Sequence, residues 1–204
     1  MHTADEFYHA ILNAAAGSTI LVTRSLTLLE GSAFFNSVRV VGVPLDGVEL
    51  VSNMECWELK TFEVKKRVCL RVPNANFQVN SGNVALENLR IHTGRYDHHG
   101  DVDDLMDNIC VGTGVSHGGS LILRNCDVIA ENGTAVMVGW NTSGEFGRVS
   151  VTGCTLSSAY LACVAKKDST VSLQGCTLRG YMWGVFAGAM STAEREDVLR
   201  RNTF

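Results

Sequence analysis

Along much of the chain apolar residues alternate with polar ones, the period-two pattern of strands with one buried face. Five segments repeat that pattern on one template: apolar, any, apolar, any, Asn or Gly, apolar, any, apolar. They occupy 38–45, 84–91, 121–128, 149–156 and 171–178, with a sixth, degenerate copy from Trp57 to Val64. The fifth template position is Gly42, Asn88, Asn125, Gly153 and Gly175 in turn. Glycine and asparagine adopt φ > 0 most readily, so a left-handed corner is predicted at each. A one-residue corner bends the chain without reversing it, unlike a hairpin turn. The next position is Val43, Leu89, Cys126, Cys154 and Cys176, predicted to form an inward ladder of small apolar side chains.

A third strand follows each bend. Candidates are Val48 and Leu50, Ile109 and Val111, Val136 and Val138, Cys163 and Ala165, and Val185 and Ala187. Successive corners lie 46, 37, 28 and 22 residues apart, and 46 is twice 23, which leaves room for the degenerate copy. A repeat of about 22 residues with three short strands predicts a solenoid in which each strand pairs in parallel with its copy one turn away. Parallel crossovers are overwhelmingly right-handed. The expectation is an all-β, right-handed parallel β-helix of about seven coils, with residues 1–190 as a single domain.

Before the first strand, an amphipathic stretch at about 3–16 predicts a helix capped by Thr3 or Asp5, with Phe7, Ile11 and Leu12 against the open end of the core. Residues 191–204 carry Glu194, Arg195, Glu196, Asp197, Arg200 and Arg201. This charged, helix-compatible tail is expected either to cap the far end or to be mobile.

The repeat, together with a short helix running into Gly17-Ser18-Thr19-Ile20, resembles the right-handed parallel β-helix, or pectate-lyase-like, superfamily over about residues 3–188. The resemblance implies the fold and no particular chemistry. Enzymes of that superfamily are mostly polysaccharide lyases, hydrolases and epimerases, and those acting on uronates set acidic Ca²⁺ ligands and an Arg or Lys base on one outer face. Here the outward positions of the late repeats, such as Ser150, Thr152, Ser172 and Gln174, lack the paired carboxylates of a glycosidase. Glu87, Arg90, Arg124 and Asp127 on neighbouring repeats read most simply as mutual ion pairs.

Composition narrows the choice. Of 204 residues, 46% are apolar and 19% charged, which excludes a disordered chain. A net charge of −4 gives no electrostatic case for nucleic acid. No apolar run approaches the ~18 residues of a membrane span. The N-terminus lacks the basic and apolar regions of a signal peptide. Seven cysteines without a CxxC pair read as reduced, buried thiols, so an intracellular protein is expected.

Candidate chemistry concentrates in 92–108, which holds three of the six His and five Asp. A solvated loop or protein contact is its plainest role. The alternative is a Ca²⁺ site from Asp97, Asp101, Asp103 and Asp104, with His98, His99 or Arg95 as acid or base. Trp140, Tyr160, Tyr181, Trp183 and Phe186 gather in the C-terminal half, as a sugar-stacking platform or, more simply, as apolar closure of the solenoid. The function expected is a non-catalytic binding or assembly module, with no cofactor, that meets protein partners in a larger complex. The alternative is a carbohydrate-active enzyme using the 92–108 loop on a glycan.

Overall fold

The computed structural model describes every residue except 1, 29–31, 35, 56–57, 74–76, 94–109, 116–118, 132, 139–146, 159–160, 166–168, 180–182 and 188–191. Helix α1 (Ala4–Asn13) opens the chain, with Thr3 as its N-cap: the Thr3 hydroxyl accepts from the Glu6 N–H at 3.2 Å. Phe7 and Ile11 point into the core, where the Phe7 ring lies 6.1 Å from Phe77 and Phe77 meets Phe34 edge-on at 4.9 Å. Leu12, in contrast to its expected place on the core side, is 61% exposed. Successive helical residues are about 100° apart, so Phe7 and Ile11 define the buried stripe and Leu12 falls beside it.

The strands then run through three parallel sheets in rotation. The first circuit is β1 (Ser18–Val22), β2 (Leu26–Thr27) and β3 (Ser32–Phe34). The second is β4 (Val38–Gly42), then β5 (Val48–Glu55) and β6 (Glu58–Lys65), then β7 (Val68–Val72) and β8 (Phe77–Val79). The third is β9 (Asn83–Glu87), β10 (Leu89–Thr93) and β11 (Cys110–Val115), and the fourth β12 (Ser120–Arg124), β13 (Asp127–Ala130) and β14 (Gly133–Val138). The fifth is β15 (Arg148–Thr152), β16 (Thr155–Ser158) and β17 (Leu161–Ala165), and the last β18 (Thr170–Gln174), β19 (Thr177–Arg179) and β20 (Trp183–Ala187). Each sheet has six strands, ordered β1-β4-β9-β12-β15-β18, β2-β7-β10-β13-β16-β19 and β3-β8-β11-β14-β17-β20, with no closed barrel. Among the described residues there are thus six circuits, where about seven were expected.

Four corner residues have left-handed backbones: Asn88 at φ 54°, Asn125 at 55°, and Gly153 and Gly175 at 60°. Their N–H groups reach up to the next circuit, as from Asn125 to the Thr152 carbonyl at 2.9 Å, and Asn125 Nδ2 donates to Asn88 Oδ1 at 2.9 Å. Gly42 departs from this set. Its φ is not left-handed, and it closes strand β4 with its hydrogens against the Asn88 carbonyl, where a Cβ would stand 2.4 Å from that oxygen. Close approach, not backbone twist, demands glycine there.

Val43 is also corrected: it is 38% exposed and outside the ladder, because the chain leaves the circuit after Gly42 to build β5 and β6. Val68, paired with Leu89, takes the ladder position instead and is 1% exposed. The degenerate copy from Trp57 to Val64 and the third-strand candidate Val48 and Leu50 are likewise not part of a circuit. They form the antiparallel hairpin β5–β6, paired from Val48–Lys65 to Glu55–Glu58. A 46-residue step therefore contains one ordinary circuit and one arm.

In the ladder, the Cys126 N–H donates to Cys154 Sγ at 3.2 Å, and the Cys126 and Cys176 thiols donate to the Leu86 and Val151 carbonyls. Beyond Cys176 the partner changes. Helix α2 (Thr192–Arg201) packs Val198 into the core, and Asn202 Oδ1 accepts from the Cys176 N–H at 2.9 Å while its Nδ2 donates to the Leu173 and Val198 carbonyls. Thr203 then bridges Thr177 in parallel, and Arg201 O accepts from Gly175 N. The tail is a cap. Among the described residues no helix is long and apolar enough to cross a membrane.

Gly42→Ala must push the Asn88 backbone aside and should cost about 2–3 kcal/mol. Gly153→Ala meets nothing within 4 Å and carries only the strain of its left-handed φ, about 1 kcal/mol. Urea denaturation of the two variants is expected to rank them in that order.

Candidate functional site

Residues 94–109 lie outside the described residues, and with them Arg95, Asp97, His98, His99, Asp101, Asp103 and Asp104. Trp140, Tyr160 and Tyr181 do so too, and Trp183 and Phe186 are placed only as members of β20. The side chains that the structure brings together are elsewhere, under the β5–β6 arm.

The arm lies across the outer face of the β7–β10–β13 sheet. Strand β13 is consequently buried at all four residues, whereas a strand open to water on one face alternates. Val51 and Val64 of the arm pack on Ile129, with Phe62 beside them, and the Arg179 guanidinium sits 4.4 Å over the Phe62 ring. Gly47, at φ +93°, turns the chain into the arm, and the Lys66 N–H closes its base on the Gly47 carbonyl at 2.9 Å.

Covering that face encloses charges. Asp127 Oδ2 accepts from Arg67 Nε at 3.1 Å and from an Arg90 terminal nitrogen at 3.2 Å. Arg67 and Arg90 side chains are 8% and 5% exposed, and Asp127 3%. Arg90 also ion-pairs with Glu49 of the arm and donates to the Lys65 carbonyl at 2.9 Å. Burial pushes the Asp127 carboxyl up from its ordinary pKa, against the pull of Arg67 and Arg90. Two buried guanidiniums and two carboxylates balance, and this knot ties the arm to the sheet.

A second relay crosses the first sheet. Glu87 takes a two-pronged contact from Arg39, at 3.1 and 2.6 Å, and one from Arg124 at 2.9 Å. The Arg39 hydrogen bonds hold the Glu87 carboxyl below the usual range, with Arg124 adding to them against a desolvation cost. Glu87, Arg90, Arg124 and Asp127 therefore do not form one charged cluster; they divide between two relays on different sheets.

Beside the buried knot a cleft of about 610 Å³ opens between arm and sheet. Its sheet wall carries Cys69, Arg71, His92 and Glu131, and its arm wall Leu45, Leu50 and Leu59. His92 Nε2 and Glu131 Oε1 are 2.6 Å apart, close enough to share a proton. The Cys69 thiol is pushed up to about 11 by burial, so near neutral pH it is a thiol and not the thiolate that nucleophilic chemistry requires. Burial likewise pushes up Cys163, to about 12, and Cys176, and Cys154 rises through its hydrogen bond to Cys126 and through burial. Among the described residues no three His, Cys, Asp or Glu side chains converge as metal ligands.

Of the charged groups in the knot and the cleft, the sequence pattern exposed Arg90, Asp127 and His92. Arg67, Glu49, Arg71 and Glu131 went unseen because 48–65 read as part of a repeat. The available signal was two alternating runs of eight flanking Cys56-Trp57, a hairpin spacing without the usual Asn-Gly turn. Comparison with protein-family models, with curated proteins and with solved structures gives no match.

Asp127→Ala strips two buried guanidiniums of their shared carboxylate and should cost about 3–5 kcal/mol in chemical denaturation. Glu87 has a separate signature in pH. Its folded-state pKa is lowered, so its stabilisation is complete above the ordinary carboxylate value and is lost as pH falls through the lowered one. Glu87→Gln should thus lower stability at neutral pH and flatten the acid limb of the stability–pH curve below about pH 4.3.

Proposed function

We propose that the six circuits are a right-handed parallel β-helix similar to the pectate-lyase-like superfamily, and that the chain is a non-catalytic binding or assembly module for protein partners. The fold reading is supported by three sheets visited in strict rotation and by left-handed residues at four successive corners. The contact surface it suggests is the arm and not the solenoid ends, since α1 and α2 occupy the ends.

The observation that carries the function is apolar side chains held out in water on a built element. Val48 is 64% exposed, Leu50 69% and Leu59 70%, on an arm that is itself anchored by buried ion pairs. Single exposed leucines are ordinary, but several apolar side chains on one anchored projection are the kind of surface that a partner covers. The charged side chains of the two relays are already committed to one another, which favours a scaffold over acid–base catalysis there.

The test is Val48→Asp with Leu50→Asp, compared with the unaltered protein, each isolated from the cells that make it and sized by light scattering. The unaltered protein should run as a complex larger than its 22.1 kDa chain. The double variant should run as a monomer with an unchanged circular dichroism spectrum and melting temperature. A clean monomer for the unaltered protein, or an intact complex for the variant, overturns the proposal.

A further inference from the structure

Beyond assembly, we infer that the cleft under the arm is a binding site for an amphipathic organic anion: a small molecule with an apolar body and one carboxylate head. Its volume of about 610 Å³ is that of a small-molecule site. The two walls differ in chemistry. On the arm wall, Leu45, Leu50 and Leu59 are 40%, 69% and 70% exposed, so an apolar body laid on them removes apolar surface from water.

The opposite wall is cationic once its internal pairs are set aside. Arg67 and Arg90 are balanced by Asp127 and Glu49, and Glu131 faces His92. Arg71 and Lys66 remain: both line the cleft, both are exposed, and among the described residues neither meets a carboxylate. An arginine fork suits a planar carboxylate, and a second cation lining the same cleft adds to its pull. Glu49 and Glu131 on the same walls disfavour a dianionic head. A further donor waits inside, since Arg90 Nε is buried without a hydrogen-bond partner while the rest of its guanidinium is engaged.

The cleft shares Leu50 and Leu59 with the assembly surface and differs from it in Lys66 and Arg71, which the assembly reading does not use. The test is titration calorimetry of the full chain with decanoate and with decyltrimethylammonium, both below their micelle concentrations. Decanoate should bind one per chain and at least about tenfold more tightly than the cation of equal tail length. Arg71→Gln with Lys66→Gln should weaken decanoate at least about tenfold with thermal unfolding unchanged, and Leu59→Ser should weaken both probes. Equal affinity for the two probes, unchanged decanoate binding in the Arg71/Lys66 variant, or no decanoate binding overturns the inference. The Arg71/Lys66 variant leaves Val48, Leu50 and Leu59 unaltered, so its loss of decanoate binding is separable from assembly, which is read by particle size.

Discussion

In-register parallel pairing is the constraint from which the other features of this protein follow. Each residue lies one strand spacing, about 4.8 Å, from its counterpart in the neighbouring circuit. Side chains of one kind must therefore tolerate, or exploit, a neighbour in the same position. Thiols stack well because they are small and donate weakly to the carbonyl beneath, as Cys126 and Cys176 do. Asn88 and Asn125 form an amide ladder at the corner. Charges cannot stack alike, and the first sheet alternates them. Arg124 stands opposite Glu87 in register and Arg39 two residues off it, so that the second, third and fourth circuits are held together by ion pairs.

That same constraint made much of the fold legible. A residue that must repeat in space repeats in sequence, so the corners Asn88, Asn125, Gly153 and Gly175 and the ladder Leu89, Cys126, Cys154 and Cys176 stood out from one chain. Gly42 and Val43 matched the template by letter and differ in role. Gly42 does stack on Asn88, but its glycine answers a crowded carbonyl, and Val43 already belongs to the departure of the arm. Alternation alone does not distinguish a parallel strand from an arm strand, since both are pleated with period two. The cleft was illegible for a related reason: its members Glu49, Arg67, Arg90 and Glu131 are far apart in sequence, and only the placement of the arm on the sheet makes them neighbours.

The arm also changes the chemistry of the sheet that it covers. The outer face of the β7–β10–β13 sheet would otherwise be a solvated surface where Arg90 and Asp127 form an exposed pair of little value. Under the arm they are desolvated, and they must be satisfied by one another, by Arg67 and by Glu49. A buried ionic knot of this kind contributes modestly to net stability but penalises any other seating of the arm. It fixes where the apolar residues of the hairpin are held.

Asn202 and Thr203 have a consequence for the protein in bulk solution. A parallel sheet with an unpaired last strand is a template on which any extended chain can grow, including another copy of the same molecule. By laying Arg201, Asn202 and Thr203 along the final turn, in the position that a further repeat would take, the chain hands its own edge a short, side-chain-tethered counterfeit strand. Along β19 the place where an added chain would pair is thereby already taken by Arg201, Asn202 and Thr203.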